Sequence, residues 1–309
     1  MPVDFQKWLR RYGPQGNHLV PSLGQARNFC SRFTRGNYEN FSVISCLMPR
    51  PLVPHFEAVY SFCRWADDLG DQSVSPAEAL ELLRWWRKEL EKCFHGEARH
   101  PVFVALRPTV REFQIPIQPF RNLIFAFEQD QLIHEYQTYE QLLGYCQNSA
   151  NPVGRLVLRL WGCADGASDS YSDAICTGLQ LANFWQDVAR DADIGRIYLP
   201  ADLRNYWGYT REDLLARRQN PAFASLMEDL VGRAEALFQR GQNLIHLAPV
   251  ARRIDLGLFI EGGRAVLEKI RKLNFRVWES RPRLSHLDKG VILAKVFWRH
   301  FPSWISSFC

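Results

Sequence analysis

Apolar residues recur every three to four positions along five long stretches of this chain, and no segment alternates apolar with polar as a half-buried strand requires. The clearest stretch is SPAEALELLRWWRKELEKCF, residues 75–94. It opens with Ser75 as an N-cap, carries Pro76 at the first helical position and Glu78 at the third, and then repeats Leu80, Leu83, Leu90 and Phe94. The same period runs through 117–136, 172–193, 221–245 and 256–275, separated by the breakers PRPLVP, RPTVREFQIP and GRIYLPADL. No internal repeat and no Gly/Ser linker interrupts this pattern. It predicts an all-α helical bundle over 1–309 as one domain, with a core of about 25–285 and a basic, aromatic tail of about 286–309. A G-x-G-x-x-G fingerprint is absent, which leaves a Rossmann cofactor domain without support.

With 47% hydrophobic and 23% charged residues, the chain has ample material for a core. Its formal net charge of +5 is too small to argue for nucleic acid. Residues 251–309 hold 12 Lys/Arg against 5 Asp/Glu, so this end is positioned to meet an anion or a membrane surface. The eight cysteines have no C-x-x-C spacing, and the N-terminus has no apolar signal segment; both point to reduced thiols in a cytoplasm. The last window, VILAKVFWRHFPSWISSFC, is broken by Lys295, Arg299, His300 and Pro302 well short of a spanning helix. Two readings stay open for it. It is either an ordinary terminal helix docked on the core, or a segment lying on the inner membrane with Trp298, Phe301, Trp304 and Ile305 as anchors.

Tyr60, Arg64, Asp67 and Asp71 step by four, three and four, which puts them on one stripe of one helix. Taken alone, this run equally suits a solvated helix end. A second stripe decides between the two. Gln180, Asn183, Asp187 and Asp191 share a face, while Leu179, Leu181, Ala182, Phe184 and Val188 are apolar enough to bury the rest of that helix. Carboxylates one turn apart on a buried helix suit Mg²⁺, which joins one or two carboxylates to substrate phosphate oxygens. Two such stripes facing each other in a bundle would bring Mg²⁺ and a diphosphate together.

These residues resemble the squalene and phytoene synthase family from about Tyr38 to Arg283: Y-x-x-C-R-x-x-D-D-x-x-D at 60–71, Q-x-A-N-x-x-x-D-V-x-x-D at 180–191 and R-I-Y-L-P at 196–200. The resemblance implies an isoprenoid synthase fold around a central cavity, several Mg²⁺ ions bridging the diphosphate, and ionisation of an isoprenoid diphosphate. It makes Asp67, Asp71, Asp187 and Asp191 the metal ligands with Asn183 as an auxiliary one. Tyr60, Arg64, Gln180, Arg196 and Tyr198 become diphosphate or active-site groups, and Asp130 falls where the family has an aspartate. Within the family, G-N-Y-E-N-F at 36–41, S-A-N-P-V-G-R-L-V-L at 149–158, N-F-W-Q-D-V-A-R-D at 183–191 and the pair Gly262-Gly263 resemble bacterial hydroxysqualene synthases of hopanoid pathways. That subgroup takes presqualene diphosphate and water to hydroxysqualene, without NADPH, and leaves reduction to another pathway enzyme. A complete head-to-head synthase or a phytoene-type synthase is the alternative. Tyr38 and Asn40 stand where relatives often have serines, Gln186 where many have arginine, and Gly263 where many have tyrosine.

Ionisation needs no enzyme nucleophile, only neutralisation of the leaving group and a dry, aromatic pocket for the cation. Arg64 and Arg196 are the candidate fixed cations. Phe41, Phe62, Trp65, Phe125, Phe127, Phe184 and Trp185 are the candidate walls, with core packing as the competing role of each. Asn148, Ser149 and Asn151 are the groups nominated to orient water, against ordinary turn chemistry before Pro152. His55, His134 and His286 lack metal-ligand spacing and read as surface or capping residues.

Overall fold

The computed structural model describes residues 5–37 and 48–305, with side chains through Arg299. The described residues are helical, with a single isolated bridge between Glu135 and Ile197, as the periodicity requires. Contacts group the chain into two compact units: Met1–Leu132 with Arg155–Gly162, and Ile133–Gly154 with Cys163–Cys309.

The first unit contains α1 (Phe5–Tyr12), α2 (Leu23–Gly36), α3 (Val53–Asp71), α4 (Pro76–His95), α5 (Pro101–Glu112) and α6 (Gln118–Gln129). Local chemistry sets the ends of α4. Ser75 Oγ accepts the Glu78 N–H at 3.2 Å, and Gly96 closes the helix at φ 94°, a left-handed conformation that glycine adopts without steric cost. α3 packs against α2, α4, α5 and α6 through fully buried Phe62 and Trp65. Trp65 and Trp86 stack with centroids 5.7 Å apart, and Phe62 meets Phe120 edge-on at 4.9 Å. One expected breaker is helical: α5 runs to Glu112 through Pro108, because buried Phe103, Leu106, Thr109 and Val110 hold it against α2 and α3. One expected helix is shorter than 117–136. α6 stops at Gln129, and the chain beyond it turns extended, where the His134 carbonyl accepts the Ile197 N–H at 2.6 Å.

α8 (Asn151–Trp161) follows α7 (Tyr139–Ser149) and runs across the division between the units. The second unit is built on α9 (Gly166–Asp193), which is capped by Asp165 accepting the Ser168 N–H at 2.7 Å. The short helices α10 (Ala201–Tyr206) and α11 (Arg211–Leu215) lead to α12 (Pro221–Gly241), the main partner of α9. At the end of α12 a Cβ on Gly241 would meet the Tyr171 carbonyl oxygen at 3.1 Å, and the helix expected over 221–245 is interrupted by a turn at 242–243 and resumes as α13 (Leu244–Leu247). α14 (Arg253–Lys272) packs on α9 and α12, and α15 (His286–Ile305) packs on α14.

The tail is thus a docked helix over its described side chains. Val296 is buried, Lys295 and Arg299 both pair with Glu261 at 2.6 and 3.0 Å, and Asp288 pairs with Lys269 at 2.8 Å. The opposite face of α15 exposes Leu287, Val291 and Trp298. The side chains of Phe301, Trp304 and Ile305 lie outside the described set. No helix among the described residues is long and apolar enough to cross a membrane.

Candidate active site

In the first unit, the α3 stripe forms as its spacing predicts. Arg64 bridges successive carboxylates, with Nη1 2.9 Å from Asp67 Oδ2 and Nη2 2.5 Å from Asp68 Oδ1. Asp68 is buried and also accepts from Gln72 Nε2 at 2.6 Å, so this middle aspartate serves to hold Arg64 in place. Asp67 keeps a third of its side chain exposed. Burial and the Asp71 charge push its carboxyl up to about 7 against the pull of Arg64, and Asp68 and Asp130 add to the rise. The structure therefore brings Asp130, at the end of α6, into the electrostatic reach of Asp67. Tyr60 donates its hydroxyl to the Asn37 carbonyl at 3.0 Å, and burial raises its phenol.

In the second unit, α9 carries Gln180, Asn183, Asp187 and Asp191 along one partly exposed stripe, opposite buried Leu181, Ala182, Phe184, Trp185 and Val188. The helix departs from helical geometry at Asp187 (φ −106°, ψ 15°). Both Asp187 oxygens are held by Arg281, from the segment after α14, whose Nη2 lies 2.9 Å from Oδ2. Arg190 stands 3.6 Å from Asp187 as well. Asp191 is pushed up to about 7 by burial and by Asp187, with Arg196, Arg190 and Arg281 pulling the other way. Arg196 is positioned by its own N–H, which donates to the Asp191 carbonyl at 2.8 Å. Asp191, Arg196, Tyr198, Phe184, Val188 and Trp278 line one cleft. Tyr198 forms part of its aromatic wall, stacked on Phe184 with centroids 3.7 Å apart and 11° between planes.

Each unit therefore presents two carboxylates one turn apart with guanidinium groups against them. Among the described residues, no three His, Cys, Asp or Glu side chains close into a cage for a metal ion. Open pairs of hard oxygens suit a cation that completes its shell with water and phosphate oxygens, and the raised carboxyls of Asp67 and Asp191 would be relieved by such a cation.

The model of the family described as squalene/phytoene synthase matches residues 34–288. The chain belongs to the squalene/phytoene synthase family. This family consists of enzymes that build isoprenoids from diphosphates. A phytoene synthase of Arthrospira platensis is 31% identical over 277 residues, covering 85% of this chain and 90% of its own length. A phytoene synthase of Thermus thermophilus is 30% identical, covering 86% and 90%. Among solved structures, the squalene synthase HpnC of Alicyclobacillus acidocaldarius superposes with a TM-score of 0.79 at 43% identity, over 82% of this chain and 95% of that one. A dehydrosqualene synthase in complex with a ligand gives 0.80 at 24% identity, over 92% and 98%, a likeness of fold. The all-α isoprenoid synthase fold expected from the motifs is the fold observed.

Several family-derived expectations take a specific form here. Tyr38, Asn40 and Phe41 lie outside the described residues. Asn151 is buried, and its Oδ1 accepts the Thr177 hydroxyl at 2.9 Å, so it ties the start of α8 to α9. Asn148 Nδ2 donates to the Gly144 carbonyl within α7 at 3.1 Å. Of the candidate walls, Phe62, Trp65 and Trp185 are core residues, while Phe125 is 51% exposed. His55 is not at the surface: it is buried, with Nδ1 2.9 Å from Thr109 Oγ1, because its position on α3 faces α5. Gln186 donates its amide to the Pro282 carbonyl at 2.5 Å. Gly263 faces Phe238, whose Cε1 would lie 2.8 Å from an added Cβ. The sequence reading missed Arg281, and its only local signal is an arginine between Ser280 and Pro282 after a helix end. Burial pushes the free thiols of Cys30, Cys63, Cys93, Cys146 and Cys176 up to about 12, which keeps them protonated.

Proposed function

We propose that this chain converts presqualene diphosphate and water to hydroxysqualene and diphosphate, as a Mg²⁺-dependent carbon–oxygen lyase of isoprenoid biosynthesis. The observation that carries this reading is the condition of two positions that depart from the wider family. The Gln186 amide is occupied by the Pro282 carbonyl, and the space beside Gly263 is filled by Phe238. Neither position offers a group for a second diphosphate, which suits an enzyme that ionises one. The 43% identity to the squalene synthase HpnC supports the same side. The phytoene synthases among the relatives favour the second reading, condensation of two prenyl diphosphates.

In the proposed reaction, the carbon–oxygen bond to diphosphate breaks and its electron pair leaves with the diphosphate. Asp67 with Asp71, and Asp187 and Asp191 with Asn183, would hold Mg²⁺, which when bound would supply Lewis acidity toward the leaving oxygens. Arg64 beside the first carboxylate pair, and Arg196 and Arg281 beside the second, supply fixed positive charge for a diphosphate. Water adds to the carbocation and loses one proton, giving the alcohol. No electrons are exchanged, so this step has no use for NADPH. The test is incubation of the purified chain with Mg²⁺, presqualene diphosphate and oxygen-labelled water. A labelled C30 alcohol, formed equally with NADPH present, is expected. Efficient condensation of farnesyl or geranylgeranyl diphosphate would establish the second reading instead, and an unlabelled alcohol would remove water as the nucleophile.

A cytoplasmic chain with peripheral membrane contact through α15 completes the proposal. The exposed stripe of Leu287, Val291 and Trp298 suits a lipid surface that would also take up an apolar product. Trp298→Glu should weaken co-sedimentation with phosphatidylglycerol vesicles, and unchanged binding would discard this contact.

A further inference from the structure

The basic tail is not the only cationic block. The first 37 residues hold six Lys/Arg, at positions 7, 10, 11, 27, 32 and 35, against the single acid Asp4. Where they stand on α1 and α2 follows from aromatic packing. Trp8 turns inward onto Phe29 and Phe33, with ring centroids at 4.4 and 5.6 Å, and Tyr12 meets Phe29 edge-on at 5.0 Å. Seating that face leaves Lys7 and Arg11, one turn apart, along the flank of α1. On α2, Gln25, Asn28 and Arg32 step by three and four and share one stripe.

These two rows border a cleft of about 320 Å³, floored by Trp8, Tyr12 and Phe29. Its size falls within the range of small-molecule sites. Lys7, Arg11, Gln25, Asn28 and Arg32 complete its described lining, and no carboxylate is among them. Gln25 Oε1 is engaged by the Ser22 N–H at 2.9 Å in a capping box, so Gln25 presents its amide N–H groups outward. Arg11 lies 5.2 Å from the Tyr12 ring centroid, its guanidinium beside the floor. A forked guanidinium matches phosphate oxygens, and an aromatic floor matches a flat or apolar body.

We propose that this cleft is a second ligand site, for a small phosphate ester whose phosphate lies on Arg11 and Arg32 and whose flat or apolar body lies over Trp8 and Tyr12. None of Asp67, Asp71, Asp187 and Asp191 lines it, and it needs no divalent cation. The same chemistry is offered by a soluble phosphate ester and by the phosphate headgroup of a bilayer lipid.

The experiment uses the full chain in EDTA, with phenyl phosphate as one probe and phosphatidylglycerol vesicles as the other. Phenol and phosphatidylcholine vesicles are the controls without anionic character. Hydrogen exchange locates the ligand: protection confined to residues 5–35 with phenyl phosphate marks a soluble ligand, and the same protection with the vesicles alone marks a lipid headgroup. Arg11→Ala with Arg32→Ala, both exposed positions, should weaken the responding probe at least about tenfold while turnover stays unchanged. Wild-type affinity should also fall as salt rises, a readout that does not depend on the variant. Protection of α1 and α2 by neither probe, or equal binding by the double variant, would overturn the proposal.

Discussion

Replacing Arg281 with alanine should move folding stability and metal affinity in opposite directions. In the structure, Arg281 holds both Asp187 oxygens, with 30% of its side chain exposed against 20% for Asp187. A forked, charge-assisted contact of this kind is worth ~1.5–3 kcal/mol when shielded, and partial exposure reduces it to about 1–2 kcal/mol. At roughly 1.5 °C per kcal/mol for a chain of this length, the metal-free variant should melt about 1.5–3 °C lower. Removing the guanidinium also leaves Asp187 and Asp191 without a counter-charge that metal binding must otherwise compete with. Mg²⁺ or Mn²⁺ alone, without diphosphate, should therefore bind the variant about threefold to tenfold more tightly, a gain of ~0.7–1.4 kcal/mol. Arg281→Lys, which keeps the charge and loses the fork, should fall between. Differential scanning fluorimetry with and without the metal reads both quantities. An unchanged melting point in EDTA would show that the pair contributes nothing to folding. An unchanged metal-induced shift would show that Asp187 takes no part in holding the cation.

The remaining predictions concern the carboxylates and the packing around Gly263. Asp67→Ala or Asp187→Ala should each lower Mg²⁺-dependent diphosphate release by on the order of 10² or more, and the double variant should lose far less than the product of the two; near wild-type turnover with either change would defeat the assignment. Asp67 and Asp191 sit near 7 in the folded chain, above their ordinary range, so the native state binds more protons than the unfolded state between about pH 4 and 7. Metal-free stability should accordingly fall as pH rises through that window, Mg²⁺ should stabilise more at pH 8 than at pH 5, and Asp67→Asn with Asp191→Asn should flatten the slope in thermal melts. Gly263→Ala forces a Cβ into Phe238 and should cost ~1–3 kcal/mol, part of which Phe238→Leu in the same chain should restore in urea unfolding; additive losses would mean the two sites do not touch.

Much of this protein is written locally, in periods and caps that need no distant partner. The helix from Pro76 to His95 begins and ends where Ser75, Pro76 and Gly96 say it should, because caps and left-handed termini are decided within a few residues. The stripes of Asp67 with Asp71 and of Asp187 with Asp191 follow from helical spacing, and the longer motifs at 60–71, 180–191 and 196–200 carry the resemblance to the family. Other features have no local cause. α5 continues through Pro108 because α2 and α3 cover it, and α6 ends at Gln129 because the next residues run beside Ile197. Asp68 looks like its acidic neighbours in sequence, yet burial against Arg64 and Gln72 makes it a strut. Arg281 lies 94 residues from Asp187, and Gly263 lacks a side chain because Phe238, on another helix, occupies the space. Spacing along one helix fixes which side chains share a face, since the backbone repeat is the same in every helix. Which distant group meets that face depends on how whole helices pack, and that is decided by the shape and burial of many residues at once.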